Sequence, residues 1–88
     1  MTDRAILELA SIIMAGVTVG IGAVGPAFGE ARTAAQALDA IARQPDRIDA
    51  ISRTLFVSLA MIESLAIYCL VVALILLFAN PFTSAAGG

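Results

Sequence analysis

Two long stretches of this chain are nearly free of charge. From Leu9 to Phe28, 20 consecutive positions hold no charged residue, and from Leu55 to Phe78, 24 positions hold only Glu63. Coiled as helices, the two runs would be about 30 and 36 Å long, enough to cross the hydrocarbon core of a bilayer. Between them, the segment from Glu30 to Arg53 gathers eight of the chain's twelve charges. The pattern predicts an all-α membrane protein. A single two-helix transmembrane hairpin fills residues 1–88, with a first helix over about 6–42 and a polar turn at 43–46. A second helix over about 47–79 and a tail at 80–88 complete it, and the last residues, Thr83 to Gly88, are expected to fray.

Composition narrows the picture further. Of 88 residues, 60% are hydrophobic and 14% charged, against about 25% charged in an average soluble domain. Mean hydropathy is +0.98, so a soluble monomer would expose large apolar patches. The net charge of −2 and the absence of any basic cluster argue against nucleic acid as a partner. With no histidine and one cysteine, Cys69, the chain offers neither an internal disulfide nor the usual zinc and haem ligands. No nucleophile–base pair is in view, so the chain is not expected to be an enzyme in its own right.

Four of the five arginines lie in the connecting segment, which places the turn in the cytoplasm and both termini outside. Arg4 ahead of an apolar run resembles the start of a signal peptide. Glu8 interrupts that start and the glycine-rich run continues well past any cleavage point, so the segment is read as the first membrane helix.

The first helix is patterned for close packing. Ser11, Ala15, Thr18, Gly22, Gly25 and Gly29 recur at helical spacing, and a second stripe of Gly16, Gly20, Ala23 and Ala27 runs beside them. In lipid, small residues let backbones approach, and van der Waals contact replaces the missing hydrophobic drive. Two stripes exceed what one hairpin needs, which points to a multi-subunit ring or bundle; a simple dimer through Gly16/Gly20 or Gly25/Gly29 is the plainer alternative. Pro26 removes one backbone donor and is expected to let this helix bend.

Glu63 carries the chemistry. A central acid costs about 2.5–3.5 kcal/mol to insert, so stability does not explain it. A carboxyl that is neutral in lipid and charged where it meets a cation can carry an ion. Counted from Pro45, Glu30 is 15 residues back and Glu63 is 18 forward. The two carboxyls therefore sit within about 4.5 Å in depth, where they would share a proton or hold a cation between them. Ser64 and Tyr68 lie one turn apart on a neighbouring face with Met61, placed to complete a site with an adjacent subunit's Glu63. The bland alternatives are an interfacial Glu30, a Ser64 bonded to its own backbone, and a Tyr68 that only packs. Cys69 reads as a small packing residue.

The small-residue helix, the turn Ala42-Arg43-Gln44-Pro45, the acid Glu63 and the run Ile67-Tyr68 through Leu77-Phe78-Ala79-Asn80-Pro81-Phe82 resemble the c subunit of rotary F-type ATP synthases over roughly residues 10–82. The resemblance implies a homo-oligomeric ring in a bacterial plasma membrane, with Glu63 loaded and unloaded as it passes a stator arginine on subunit a. It implies that Arg43, Gln44 and Pro45 contact the central-stalk subunits gamma and epsilon, that lipid surrounds the ring, and that no cofactor is bound. In sodium-type rings, Glu30 falls at a ligating position, Ser64 matches a ligating hydroxyl, Met61 a carbonyl ligand and Tyr68 a hydroxyl that bonds the acid. The paired carboxyls leave open membership of the N-type subgroup.

Two features depart from the family pattern. Leu65 stands where sodium-type members often carry a hydroxyl, and Ala23 and Ala27 stand where glycine is frequent, which suggests a larger ring. Transport of protons is the favoured expectation because Leu65 removes a sodium ligand. Sodium, held by Glu63, Glu30, Ser64 and the Met61 carbonyl, is the alternative. A pore-forming or structural membrane hairpin is the rival from another class, but it leaves Glu63 unexplained. V-type proteolipids usually duplicate the hairpin, which this chain does not.

Overall fold

The computed structural model describes residues 2–85. Helix α1 spans Asp3–Arg43, a single 3-10 turn covers Pro45–Arg47, helix α2 spans Ile48–Phe78, and a short helix α3 covers Pro81–Ala85. The two long helices lie side by side as a rod of 64 × 16 × 10 Å. Both are long and apolar enough to cross a membrane.

Helix α1 starts three residues ahead of the expected position because its first turn is well capped. The Thr2 hydroxyl accepts the Ala5 N–H at 3.1 Å, and Asp3 places negative charge against the positive end of the helix dipole. At its far end Arg43 pairs with Asp39 at 3.2 Å, one turn back and in full view of solvent. The chain then reverses sharply. Gln44 donates its N–H to the Ala40 carbonyl and accepts from the Arg47 N–H, both at 2.9 Å, and Pro45 occupies the first position of the turn, where no donor is needed.

Helix α1 runs unbroken through Pro26. Helix α2 contains neither glycine nor proline from Ile48 to Phe78. One half of the hairpin is therefore bendable and the other stiff.

The tail expected to fray departs from that reading at Thr83, which belongs to α3. Pro81 opens this helix, the Asn80 side-chain oxygen accepts the Phe82 N–H at 2.8 Å, and the Thr83 hydroxyl donates to the Asn80 carbonyl at 3.1 Å. Capping by an asparagine before a proline supplies the order that composition alone does not suggest. Residues 86–88 lie outside the described residues.

A hairpin this thin has almost no interior. Among the described residues, Ala15 and Ala73 are the two buried hydrophobic ones, at 3% and 2% exposure, while large side chains such as Ile21, Phe28, Phe56 and Phe78 stand exposed. Apolar surface on that scale requires lipid or further copies of a similar surface around it.

Candidate ion-carrying site

Three contacts fix how the helices face each other. The Asn80 amide donates to the Ser11 hydroxyl across the pair. Gly22 faces Cys69, and Gly29 faces Ile62, whose methyl would lie 3.5 Å from an added Cβ. Eleven residues forward along α1, from Ser11 to Gly22, match eleven back from Asn80, just past the end of α2, to Cys69; the next seven match as well. The register is thus constant over the membrane-spanning length.

In that register Glu30 stands opposite Met61, two residues from Glu63, a depth difference of about 3 Å. The two carboxyls come within hydrogen-bonding reach of each other. The helical count from the turn places them about one residue further apart in depth.

The rest of the proposed ion site is arranged around this pair. The Ser64 hydroxyl donates to the Met61 carbonyl at 2.6 Å, so two oxygens lie together within one turn of α2. This is the backbone bond that serine commonly makes in an apolar helix. Met61 and Tyr68 are 69% and 65% exposed and point away from α1, where only lipid or another molecule can meet them. Among the described residues, no group of three or more acidic, cysteine or histidine side chains forms a metal cluster.

The two small stripes separate by face. Ala15, Gly22 and Gly29 turn toward α2, whereas Gly16 and Gly20 have no atom within 4 Å of an added Cβ and form an open surface. Gly25, assigned by spacing to the inward stripe, also faces open space, and half-buried Pro26 takes the inward position. The cause is helical drift. A strict 4-3 spacing turns 3.5 residues per turn, while a straight helix turns 3.6, so after Gly22 the inward position moves on by one.

Arg43, Gln44 and Pro45 all sit at the hairpin bend. Gln44 and Arg47 cap a groove of about 450 Å³ between the helices, whose walls carry Thr33, Gln36, Thr54 and Ser58. Sequence reading misses two contacts of structural weight. Asn80 binds α1, α2 and α3 together, and its signal is the Asn-Pro pair that favours a cap. Cys69 fills the notch left by Gly22, a pairing 47 residues apart that no local pattern reveals.

The sequence matches known proteins. The family model for the C subunit of ATP synthase matches residues 13–76. The second ATP synthase c subunit of Cereibacter sphaeroides is 64% identical over 77 residues, covering 88% of this chain and 93% of that protein. The chloroplastic ATP synthase c subunit of Guillardia theta is 56% identical over 79 residues, covering 90% and 96%. That of Cyanidioschyzon merolae is 54% identical over 80 residues, covering 91% and 99%. A hairpin of two apolar helices with this sequence match over most of its length belongs to the family of ATP synthase C subunits.

Proposed function

We propose that this chain is the ion-carrying rotor subunit of a rotary ATP synthase, many copies forming a ring in a bacterial plasma membrane. In this reading the turn faces the cytoplasm and Glu63 takes up and releases one proton per passage. The observation that carries it is the Glu30–Glu63 pair, two acids held face to face, one at the edge of an uncharged run and the other inside the second run.

The physics of the pair supports a carrier. Two carboxylates at contact distance in a medium of low dielectric cannot both be ionised, so the pair retains one proton or one cation. A neutral site crosses lipid at little cost, and a charged one does not. Release then requires a competing positive group, the role assigned to an arginine on subunit a. Helix α2 presents Glu63 on the exposed side of the hairpin, where such a group can reach it. The chain itself performs no catalysis in this account. Arg43, Gln44 and Pro45 at the bend meet the gamma and epsilon subunits of the stalk.

Sodium is the second reading. Its support is the Ser64–Met61 bond, which brings a hydroxyl and a carbonyl oxygen together two residues from Glu63. With Glu30 and Glu63 they offer four oxygens, the ligand type that hard cations take. Leu65 offers none, which leaves the proton reading ahead.

Glu63→Gln tests the function. It preserves shape and removes the titrating group, so vesicles carrying the assembled enzyme should lose ATP-driven ion uptake by at least about a hundredfold. Uptake at the unsubstituted rate would rule the carrier reading out.

A further inference from the structure

The constant register carries on past the acids to the turn. Fifteen residues on from Gly29 and fifteen back from Ile62 stand Gln44 and Arg47, joined by a backbone hydrogen bond of 2.9 Å. In that register Thr33 comes opposite Ser58 and Ala37 opposite Thr54, and all four line the groove of about 450 Å³ between the helices. Gln36, Gln44 and Arg47 supply its other polar walls. At about 30 Å³ per molecule, the groove has room for on the order of ten waters.

These polar groups lie at membrane depth. The uncharged run of α2 continues to Leu55, so Ser58 lies about 4.5 Å inside it, with Thr33 at the same level. The outer side of α2 is apolar here, with Phe56 and Val57 exposed. A hydroxyl or amide at such depth needs a hydrogen-bond partner. Among the described residues, Thr33, Gln36, Thr54 and Ser58 make no side-chain hydrogen bond. No side-chain nitrogen or oxygen among those residues is both buried and unpaired, so these groups open onto the groove. Bridging waters would supply the missing partners.

The groove ends at the acids. Thr33 is one turn, about 4.5 Å, from Glu30, close enough for one water to link them. On the far side of Glu30 the helices close up. A Cβ added at Gly29 would touch Ile62 at 3.5 Å, and one added at Gly22 would collide with Cys69. The next cavity along the pair, of about 490 Å³, has Ile12, Val19, Leu70 and Leu74 in its walls, an apolar lining that holds no water.

We propose that the groove is a water-filled vestibule connecting Glu30 to the aqueous phase on the turn side alone, so that the acid pair exchanges its ion with that side through its own hairpin. The exchange rests on the reading of the pair as the ion carrier; the water in the groove does not.

Thiol labelling of the assembled enzyme tests the vestibule. In a Cys69→Ala background, Thr33→Cys, Ser58→Cys and Val57→Cys place thiols at nearly one depth, two in the groove and one on the outer face. In sealed vesicles with the turn outward, a membrane-impermeant methanethiosulfonate should modify the groove thiols at least about a hundredfold faster than Val57→Cys, because it reacts with a thiolate. The reagent enclosed on the opposite side should leave them unmodified. Groove thiols as slow as Val57→Cys would overturn the proposal, the groove then being filled by a lipid chain or a neighbouring copy. Labelling from both sides would overturn it too.

A second measurement needs no new thiol. Ala37→Phe fills the groove midway and leaves its hydroxyls in place. At acid pH, in enzyme that also carries Glu63→Gln, it should slow deuterium exchange of the Glu30 carboxyl, read by its infrared band, by at least about tenfold. Unchanged exchange would overturn the vestibule. If Glu63→Gln enzyme still takes up ions, the carrier reading fails and the ion exchange with it, while the labelling still decides whether the groove holds water.

Discussion

The two long helices of the hairpin solve different problems with different residues. Helix α1 carries five glycines and Pro26, and its two small faces allow close neighbours on two sides. Helix α2 carries no glycine or proline and presents Met61, Leu65, Tyr68 and a run of aliphatic side chains outward. A smooth, bendable helix beside a stiff, bulky one gives a hairpin with a narrow and a wide side. A wedge of that shape suits the curved ring that this family forms. The acids divide in the same way. Glu30 is half-buried on the bendable helix, and Glu63 stands exposed on the stiff one.

That asymmetry orders the outcomes of substitution. Loss of Glu63 removes the exposed acid and should abolish transport, as described above. Glu30→Gln should be milder, because Glu63 still titrates and loses only a hydrogen-bonding partner. Transport rates should fall by about tenfold, the equivalent of one hydrogen bond to a charged group. Equal losses in the two variants would show that the acids act as one unit and would erase the distinction between the helices.

The two faces of α1 can be separated next. An alanine at Gly22 would place its Cβ 2.7 Å from the Cys69 Cβ and closer still to the sulfur, which cannot be accommodated without moving the helices apart. Gly22→Ala should destabilise the hairpin by about 1–3 kcal/mol, read as lower melting of the monomer in detergent, and Cys69→Gly should recover part of the loss. Gly16→Ala and Gly20→Ala add a methyl to open space and should leave the monomer unchanged while altering ring assembly. A Gly16→Ala monomer as unstable as Gly22→Ala would contradict the assignment of faces. The smallest effect is expected at the bend. Asp39→Ala breaks an exposed pair with Arg43, so its cost to hairpin melting should stay below about 0.5 kcal/mol.

Much of the architecture is legible in the sequence because the signals are local. Charge-free runs of helical length announce the spans, and counting from Pro45 at a fixed rise places Glu30 and Glu63 at nearly one depth. The same count has no access to rotation about the helix axis. It does not say which small stripe of α1 meets α2, and at Gly25 a one-residue drift puts the wrong residue on the inward face. The Asn80–Ser11 bond and the Gly22–Cys69 notch join positions far apart in sequence, so only the folded pair reveals them. Thr83 is misjudged when small polar residues are read as disorder and the capping by Asn80-Pro81 goes unused. Met61 and Tyr68 are exposed in the hairpin, so their roles are not read from contacts within it.

The central claim is that the Glu30–Glu63 pair holds one proton at a time inside the membrane. Carbodiimide modification of the assembled ring, with and without sodium at a single pH, tests it most directly, because the reagent requires a protonated carboxyl shielded from water. The account predicts selective modification of Glu63 at a rate that sodium does not alter. Protection by sodium would replace the proton with a metal cation as the cargo, and an unmodified Glu63 would contradict the carrier altogether.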